Sequence, residues 1–385
     1  MLRSKLLREL YQQHTLSRAD LTRLTGASSA SVTQIIRELL DEGVVQEQGS
    51  QQEGLGRPRV MLCIQQDFRC VVGIRMVSQE IHASLMNLRG HSLCQLTHHL
   101  TSFEPHQVTA ELAEVVHKLI LQGGISKDKL LGVGLALSGI VDARQNLCVY
   151  SFLLGWKHVP IGEMLEKRLS VPVRVDNDVN SITIAQKLFS EMRLERYFTV
   201  LYIGEGIGAG FYHDDELLTG RNNAAGEIGH FTVVRNGRLC ICGKRGCLQA
   251  YASTDSLLHQ AREQGLDIET LEDLHHAALQ GDPEVLRLLN FAGQLVGLAL
   301  SYVIDTLDIQ KVIVYAPTCN TERTFQNALL EAVHHHSLPL VDSPKTILFK
   351  PGEPELWLAG AGGIAINAFL NDQLKLPLTA SVHER

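Results

Sequence analysis

From its second residue the chain spaces apolar side chains helically: Leu2, Leu6, Leu7 and Leu10 share one face of LRSKLLRELYQQ. SRADLTRLTG predicts a second helix, with Ser17 as N-cap and Asp20 three residues on, close to a capping box. Leu21 and Leu24 face inward in this reading, and Gly26 ends the helix in a left-handed turn. SSASVTQIIRELLDEG predicts a third helix with Val32, Ile36, Leu39 and Leu40 on its buried face and Gly43 as its stop. Two short helices around a glycine-containing turn make a helix-turn-helix. VVQE and RVMLCI then read as strands joined by QGSQQEGLGRP, a polar, glycine-rich wing.

Beyond residue 69 the pattern changes. RCVVGIRM, EIHASLMNL and SLCQLTHHL alternate or run apolar as strands, and a helix is expected near 106–123. KLLGVGLALS is a buried strand, and PVRVD leads into DNDVNSITIAQKLFS, helical after Asp178. YFTVLYIGEGIGAGFY predicts a two-stranded hairpin that opens a second round. Helices at 254–263, 271–280 and 283–306 follow, then the strand KVIVYAP, a helix near 321–336, the strand KTILFK and a closing helix after Pro354. A three-stranded meander followed by alternating helices and strands, met twice, predicts two α/β lobes. The expected division is a winged helix-turn-helix domain at 1–64, a first lobe at 65–190 completed by a C-terminal helix near 355–385, and a second lobe at 191–354. The long helix DPEVLRLLNFAGQLVGLALSYVIDTL, with Leu286, Leu289, Leu295 and Val303, suits core packing or dimerisation.

Composition narrows the class. At 385 residues, 45 % hydrophobic and 20 % charged, the chain has room for two or three globular domains. MLRSKLLREL lacks the apolar core of a signal peptide, and LLGVGLALSGIV falls short of the roughly 18 residues of a membrane span, so a cytoplasmic protein without membrane insertion is expected. Cys63, Cys70, Cys94, Cys148 and Cys319 are scattered among apolar residues as small buried hydrophobes. The net charge of −7 hides an asymmetry: the first forty residues hold six Arg/Lys against three Asp/Glu. A small basic module on an acidic body suits nucleic-acid binding.

The residue types agree. The outward face of the third helix carries Ser29, Ala30, Thr33, Gln34 and Arg37, short or hydrogen-bonding side chains that can approach base edges in a major groove, and Arg18 opens the second helix. The wing tip GRPR presents Arg57 and Arg59 on an extended backbone fit for a minor groove of double-stranded DNA. The alternative for this module is a trihelical protein-interaction domain with a solvated arginine loop.

Two clusters carry chemistry in the body. His230, Cys240, Cys242 and Cys247 offer one imidazole and three thiolates, a set suited to a closed tetrahedral zinc site in the loop 230–247, with free thiols as the alternative. Gly237, Gly243 and Gly246 let that loop fold tightly, and Lys244 and Arg245 offset thiolate charge. A polyhydroxyl ligand needs carboxylates and amides that pair with adjacent hydroxyls. Asn177 and Asp178 supply them at a strand-to-helix junction, Glu227 and His230 supply more, and Gly139 lets backbone approach. For each of these the alternative is a polar side chain that stabilises a turn.

SRADLTRLTGASSASVTQIIRELLDEGVV with GRPR, then LALSGIVD, GWKHVPI, VDNDVN, IGEGIGAGF, GEIGH and CICGKRGC together resemble the ROK family of repressors, open reading frames and sugar kinases, over essentially the whole chain. The resemblance implies an α/β protein: an N-terminal winged helix-turn-helix followed by the two-lobed actin-like (ribonuclease H-like) ATPase fold. It also implies structural zinc on His230 and the three cysteines, sugar contacts at Asn177, Asp178, Glu227 and His230, and Asp178 at the position of the kinases' general base. Two positions depart from the family pattern. Phe152 stands where an Asn often precedes the GW pair, and Gln249 stands where Glu commonly follows the last zinc cysteine.

The kinase parts depart further. Phosphoryl transfer needs glycine backbone and a placed carboxylate around phosphates and metal. Against the family's G-x-D-x-G-G-T, GIRMVSQ has Arg75, Val77, Ser78 and Gln79 at the Asp, Gly, Gly and Thr positions. Glu205 replaces Thr in GEGIG, and VIVYAPTCN has lost the adenosine-side glycines. The expectation is a non-enzymatic, dimeric repressor of sugar uptake or catabolism genes, with a tetramer as the other assembly. It would bind operator DNA and a sugar or sugar phosphate between the lobes. The alternatives are an ATP-dependent sugar kinase carrying a DNA-binding domain, and a regulator controlled by a protein partner from a sugar transporter.

Overall fold

The computed structural model describes residues 2–51, 58–77, 79–316, 323–339 and 345–374. α1 (Leu2–Gln13) buries Leu6, Leu7, Leu10 and Tyr11. A short strand, β1 (Leu16–Ser17), leads into α2 (Arg18–Thr25), where Ser17 and Asp20 form a full capping box and Gly26 adopts φ +67°. Leu21 is buried. Leu24, expected to face inward, is instead 40 % exposed, because it lies in the last turn, one residue before the helix stops and the chain turns away at Gly26. α3 (Ser29–Asp41) is N-capped by Ser28 and buries Val32, Ile36 and Leu39, with Leu40 half-buried. β2 (Val45–Gln51) and β3 (Arg59–Ile64) form the antiparallel wing, and β1 pairs with the other edge of β3.

β4 (Cys70–Val77), β5 (Glu80–Asn87) and β6 (Ser92–His99) make the antiparallel meander, and α4 (Pro105–Gln122) follows. β7 (Leu130–Leu137), buried at every position, pairs parallel with β4. Next comes a small antiparallel sheet that hydrophobic patterning did not announce: β8 (Ile140–Asp142), β9 (Leu147–Ser151) and β10 (Trp156–Val159), with α5 (Ile161–Leu169) after it. β11 (Val173–Asn177) runs parallel to β7 and passes directly into α6 (Asp178–Phe189).

The second round begins with β12 (Phe198–Ile203), β13 (Ile207–His213) and the two-residue β14 (Glu216–Leu217), so its third meander strand is vestigial. α7 (Gln249–Ala252), α8 (Thr254–Glu263), α9 (Leu271–Leu279) and α10 (Pro283–Leu307) precede β15 (Lys311–Tyr315), α11 (Arg323–His336) and β16 (Thr346–Lys350). α12 (Pro354–Leu370) closes the described chain. The two five-stranded sheets share one topology, β11-β7-β4-β5-β6 and β16-β15-β12-β13-β14, each with three parallel strands beside an antiparallel pair.

Packing divides the chain into Met1–Leu194 with Glu355–Arg385, and Glu195–Pro354. The chain passes from the first unit to the second at Leu194–Glu195, and the winged module belongs to the first unit. In that unit Val72, Ile74, Leu135 and Val175 pack with Val115, Leu119 and Leu165 on one face of the sheet. On the other face α12 lies so close that a Cβ at Gly73 or Gly134 would overlap the backbone of Leu358, Ala361 and Gly362. Side chains alternate along a strand, so Arg75, next to Ile74, projects toward the α12 face. In the second unit α10 meets α11 in the same way, with Gly293 and Gly297 against the carbonyls of Phe325 and Leu329. α10 is long and apolar enough to cross a bilayer, but it is mostly buried in this core. Leu289, Leu295 and Val303 are core residues and Leu286 packs at the edge, which favours the packing role for this helix.

Candidate functional site

α3 presents Ser29, Ala30, Thr33, Gln34 and Arg37 together on its exposed face, where they line a shallow depression with Glu38 and Asp41. The buried positions 32, 36 and 39 turn this polar stripe outward. Arg18, the first residue of α2, reaches Glu47 of the wing at 3.3 Å, and Arg59 at the start of β3 lies 3.8 Å from Asp20. Both arginines are therefore held beside the helix pair by carboxylates. Arg57 lies outside the described residues.

In the first unit the candidate ligand groups gather where β7 and β11 end. Asn177 donates Nδ2–H to the Gly139 carbonyl at 2.9 Å, while its Oδ1 accepts from the Val179 and Asn180 amides at 2.8 and 3.1 Å. It is thus the N-cap of α6 and a tie to the turn after β7. Asp178 follows as the first helical residue and accepts from the Val179 amide at 2.9 Å. Burial pushes the Asp178 carboxyl upward, and the Arg75 guanidinium leads the opposing influences that lower it. Arg75 stacks on Trp357 of α12, its guanidinium carbon 3.6 Å from the ring centroid. Asp176, one residue before the junction, is buried and accepts from Asn180 Nδ2 at 2.9 Å and from the Asn177 amide at 2.7 Å. Phe152, 53 % exposed, packs edge-on against Tyr150 in the turn after β9, and the backbone of Tyr150 and Ser151 abuts Gly139.

In the second unit Gly226 and Gly229 press against the carbonyls of Ala209 and Ile207 on β13, which fixes the intervening Glu227. His230 closes the short helical turn that begins at Ile228, its amide donating to the Glu227 carbonyl at 3.1 Å. Gln249 begins α7, two residues after Cys247. The structure brings His230 Nδ1 to 3.6 Å from Cys240 Sγ and Cys242 Sγ to 3.7 Å from Cys247 Sγ, with all four ligand atoms within 4.8 Å of one another. A tetrahedral ion at metal–sulfur distances of about 2.3 Å gives edges of about 3.75 Å, so the donors fit one ion. Gly243 and Gly246 supply left-handed backbone at φ +86° and +80°, and a Cβ at Gly237 would strike the Tyr251 hydroxyl. Lys244 Nζ donates to the His230 carbonyl at 2.9 Å and Arg245 to that of Gly237 at 3.3 Å, so both cations brace the loop. Burial, then the neighbouring thiols, pushes Cys247 up to about 12. Three thiolates gathered this closely repel one another unless a cation lies among them.

Strand β4 continues through Arg75 to Val77, which pairs with Glu80 of β5, and Gly73 serves the α12 contact. Ser78 and residues 317–320 lie outside the described residues. In GEGIG the Gly204 amide donates to the Gly206 carbonyl at 2.9 Å, turning the chain tightly and leaving Glu205 exposed at the tip.

A model of the ROK family matches residues 71–352, and a winged helix-turn-helix DNA-binding model matches residues 2–46. The chain belongs to the ROK family. It is 30 % identical over 310 residues to the xylose repressor of Bacillus subtilis (strain 168), covering 80 % of each chain. The crystal structure of a ROK family transcriptional regulator, a homologue of the E. coli Mlc protein, superposes with a TM-score of 0.85 at 23 % identity, covering 97 % of this chain and 98 % of that one. A ROK hexokinase from Thermus thermophilus superposes at 0.68 with 25 % identity, covering 79 % of this chain and 99 % of the enzyme. The protein is a DNA-binding transcriptional regulator of the ROK family, a winged helix-turn-helix joined to the family's two-lobed α/β fold.

Within the ROK frame, sequence reasoning noticed Arg75 only as a lost Asp and passed over Trp357 and Asp176. The partners Arg75 and Trp357 lie in β4 and α12, and no local spacing connects them. Asp176 did carry a signal, a carboxylate ending the buried strand PVRVD.

Proposed function

We propose that this ROK regulator represses genes of sugar uptake or catabolism and responds to a monosaccharide or its phosphate without phosphorylating it. Asp178 is the principal hydroxyl acceptor, and Asn177 and the Gly139 backbone shape its surroundings; Glu227, His230 and Gln249 are the second unit's own candidates for hydroxyl contacts. The α3 face reads operator DNA in the major groove, Arg18, Arg57 and Arg59 meet the backbone or minor groove, and two copies engage half-sites as a homodimer. The xylose repressor among its relatives makes D-xylose the first sugar to test. A cytoplasmic setting accords with DNA as the partner.

The observation that carries the non-catalytic reading is Arg75. A guanidinium stacked on Trp357 and bearing on Asp178 stands at the position the family's kinases give to a phosphate-loop Asp. Asp178 then has a resident counter-ion in place of a role as base. Glu205 at the second loop adds a charge that repels phosphate oxygens.

The ion held by His230, Cys240, Cys242 and Cys247 is zinc in this proposal. Its chemistry is structural: four protein ligands leave no position for water, and the loop between Glu227 and Gln249 is pinned through them. His230 keeps its other ring nitrogen for a hydrogen bond.

The test is calorimetric titration with D-xylose, D-glucose, N-acetyl-D-glucosamine and their phosphates, run beside an ATP-consumption assay on the same panel. Binding of at least one compound without turnover is expected. Sugar-dependent ATP consumption abolished by Asp178→Asn would establish a kinase instead.

A further inference from the structure

The C-terminal end of α1 is held by two arginines from the body of the first unit. Arg89 Nη1 donates to the Tyr11 carbonyl at 2.8 Å, and its guanidinium lies over the Tyr11 ring, 4.5 Å from the centroid. The Tyr11 hydroxyl, buried, donates to the Leu88 carbonyl at 2.6 Å. Arg193 Nε donates to the Gln12 carbonyl at 3.1 Å. These are the last carbonyls of a helix, which lack partners within the helix and lie at its negative end, so cations there are favourable.

The position of Arg193 in the chain gives this clamp a second meaning. It belongs to the helical turn Glu191–Leu194, the last residues of the first unit before the chain crosses to the second, and Glu195 opens the second. Glu195 is itself ion-paired to Lys311 at the start of β15, a strand of the second unit's central sheet. Arg193–Leu194–Glu195 therefore runs from a hydrogen bond on the DNA-binding module to an ion pair on the second unit, with one residue between the two anchors. A link so short has little slack to absorb a shift of either end.

We propose that this segment is the link through which the second unit and the DNA-binding module sense each other, with Arg193, Arg89 and Glu195 as positioning residues for α1 and, through it, for α2 and α3. α1 packs against α2 and β3, so its placement sets the frame of the helix pair. Coupling through such a link is reciprocal: whatever moves the second unit biases DNA binding, and DNA binding biases the second unit to the same extent in free energy.

Reciprocity permits a test that needs no effector. A duplex enriched from a random-sequence pool by the full-length wild-type protein serves as the DNA, and hydrogen–deuterium exchange over residues 195–217 is compared with and without it. The wild type is expected to change its exchange rates there by about threefold or more on binding DNA. Arg193→Ala and Glu195→Ala, which break opposite ends of the link, are expected to bind the duplex within about threefold of wild type yet lose that response, and Arg193→Lys, which keeps a donor, to restore part of it. A purely structural clamp predicts a fall in melting midpoint and DNA affinity with the exchange response intact. That result in Glu195→Ala, which removes the ion pair to Lys311 on β15, would overturn the proposal even if Arg193→Ala failed to fold. No DNA-dependent exchange in the wild type would overturn it as well.

Discussion

Asn177 and Gly139 are joined by a 2.9 Å hydrogen bond that ties the end of β11 to the turn after β7. The carbonyl of Gly139 can face Asn177 because its backbone adopts φ +127°, a region open to glycine, while its α-carbon abuts the Tyr150–Ser151 backbone. The turn after β7, a helix cap and the small β8–β10 sheet thus meet at one glycine.

Gly139→Ala is expected to destabilise the protein by about 2 kcal/mol, since the methyl group adds a steric overlap to a strained φ. Urea denaturation checks this. Asn177→Ala loses a cap worth about 1 kcal/mol and frees the turn.

The metal cluster predicts about one zinc per chain by elemental analysis. Cys242→Ser should lose the ion and lower the melting midpoint by about 5 °C or more, and chelation of the wild type should reproduce that fall. Full zinc retention in the variant would remove Cys242 from the ligand set.

Asp176 gives the protein a defined pH dependence. Burial raises its pKa from 3.8 to about 6, against the opposing bonds from Asn180 and the Asn177 amide. A carboxyl raised on folding binds its proton more tightly in the native state. Its contribution to stability is therefore largest near pH 4 and is lost as pH rises through about 6. Asp176→Asn keeps an acceptor for Asn180 and removes the titration. The variant should gain up to about 3 kcal/mol over wild type at pH 7.5 and nothing near pH 4, read by urea denaturation at both values.

Arg37 is exposed on the α3 face. Arg37→Ala should weaken binding to an enriched duplex and make the slope of log affinity against log salt shallower by about one, as expected for one lost phosphate contact. If the slope holds and sequence preference relaxes instead, Arg37 reads a base edge.

Much of this was legible in the chain because local rules were obeyed. The Ser17/Asp20 capping box, the Gly26 turn, the meander of β4–β6 and the buried β7 all follow from spacing and turn chemistry. The His230–Cys247 cluster was legible for a different reason: four ligands within eighteen residues, separated by glycines, leave few ways to fold. What escaped was non-local. The strands β8–β10 are three to five residues long and too short to show a period, and α5 follows them directly. Leu24 has the right spacing for burial but lies where the helix runs out. The stacking of Arg75 on Trp357, and the clamp of Arg89 and Arg193 on α1, join segments far apart in sequence.

Phe152 offers a test of ligand shape. It replaces an amide common in the family with an exposed ring beside the Gly139 turn. Phe152→Asn is expected to shift the calorimetric preference between D-xylose and D-glucose by about tenfold while leaving DNA affinity unchanged.

The central claim is that occupancy of the Asp178 site alters DNA binding without phosphoryl transfer. Its most direct test is the affinity of the full-length protein for an enriched duplex, measured by fluorescence anisotropy with and without each sugar of the panel, in wild type and Asp178→Asn. At least one sugar should change the wild-type affinity by about tenfold, a coupling of about 1.4 kcal/mol, with the effect absent in the variant and its sugar-free affinity preserved. A wild-type affinity unmoved by every sugar, or a response that survives Asp178→Asn undiminished, would contradict it.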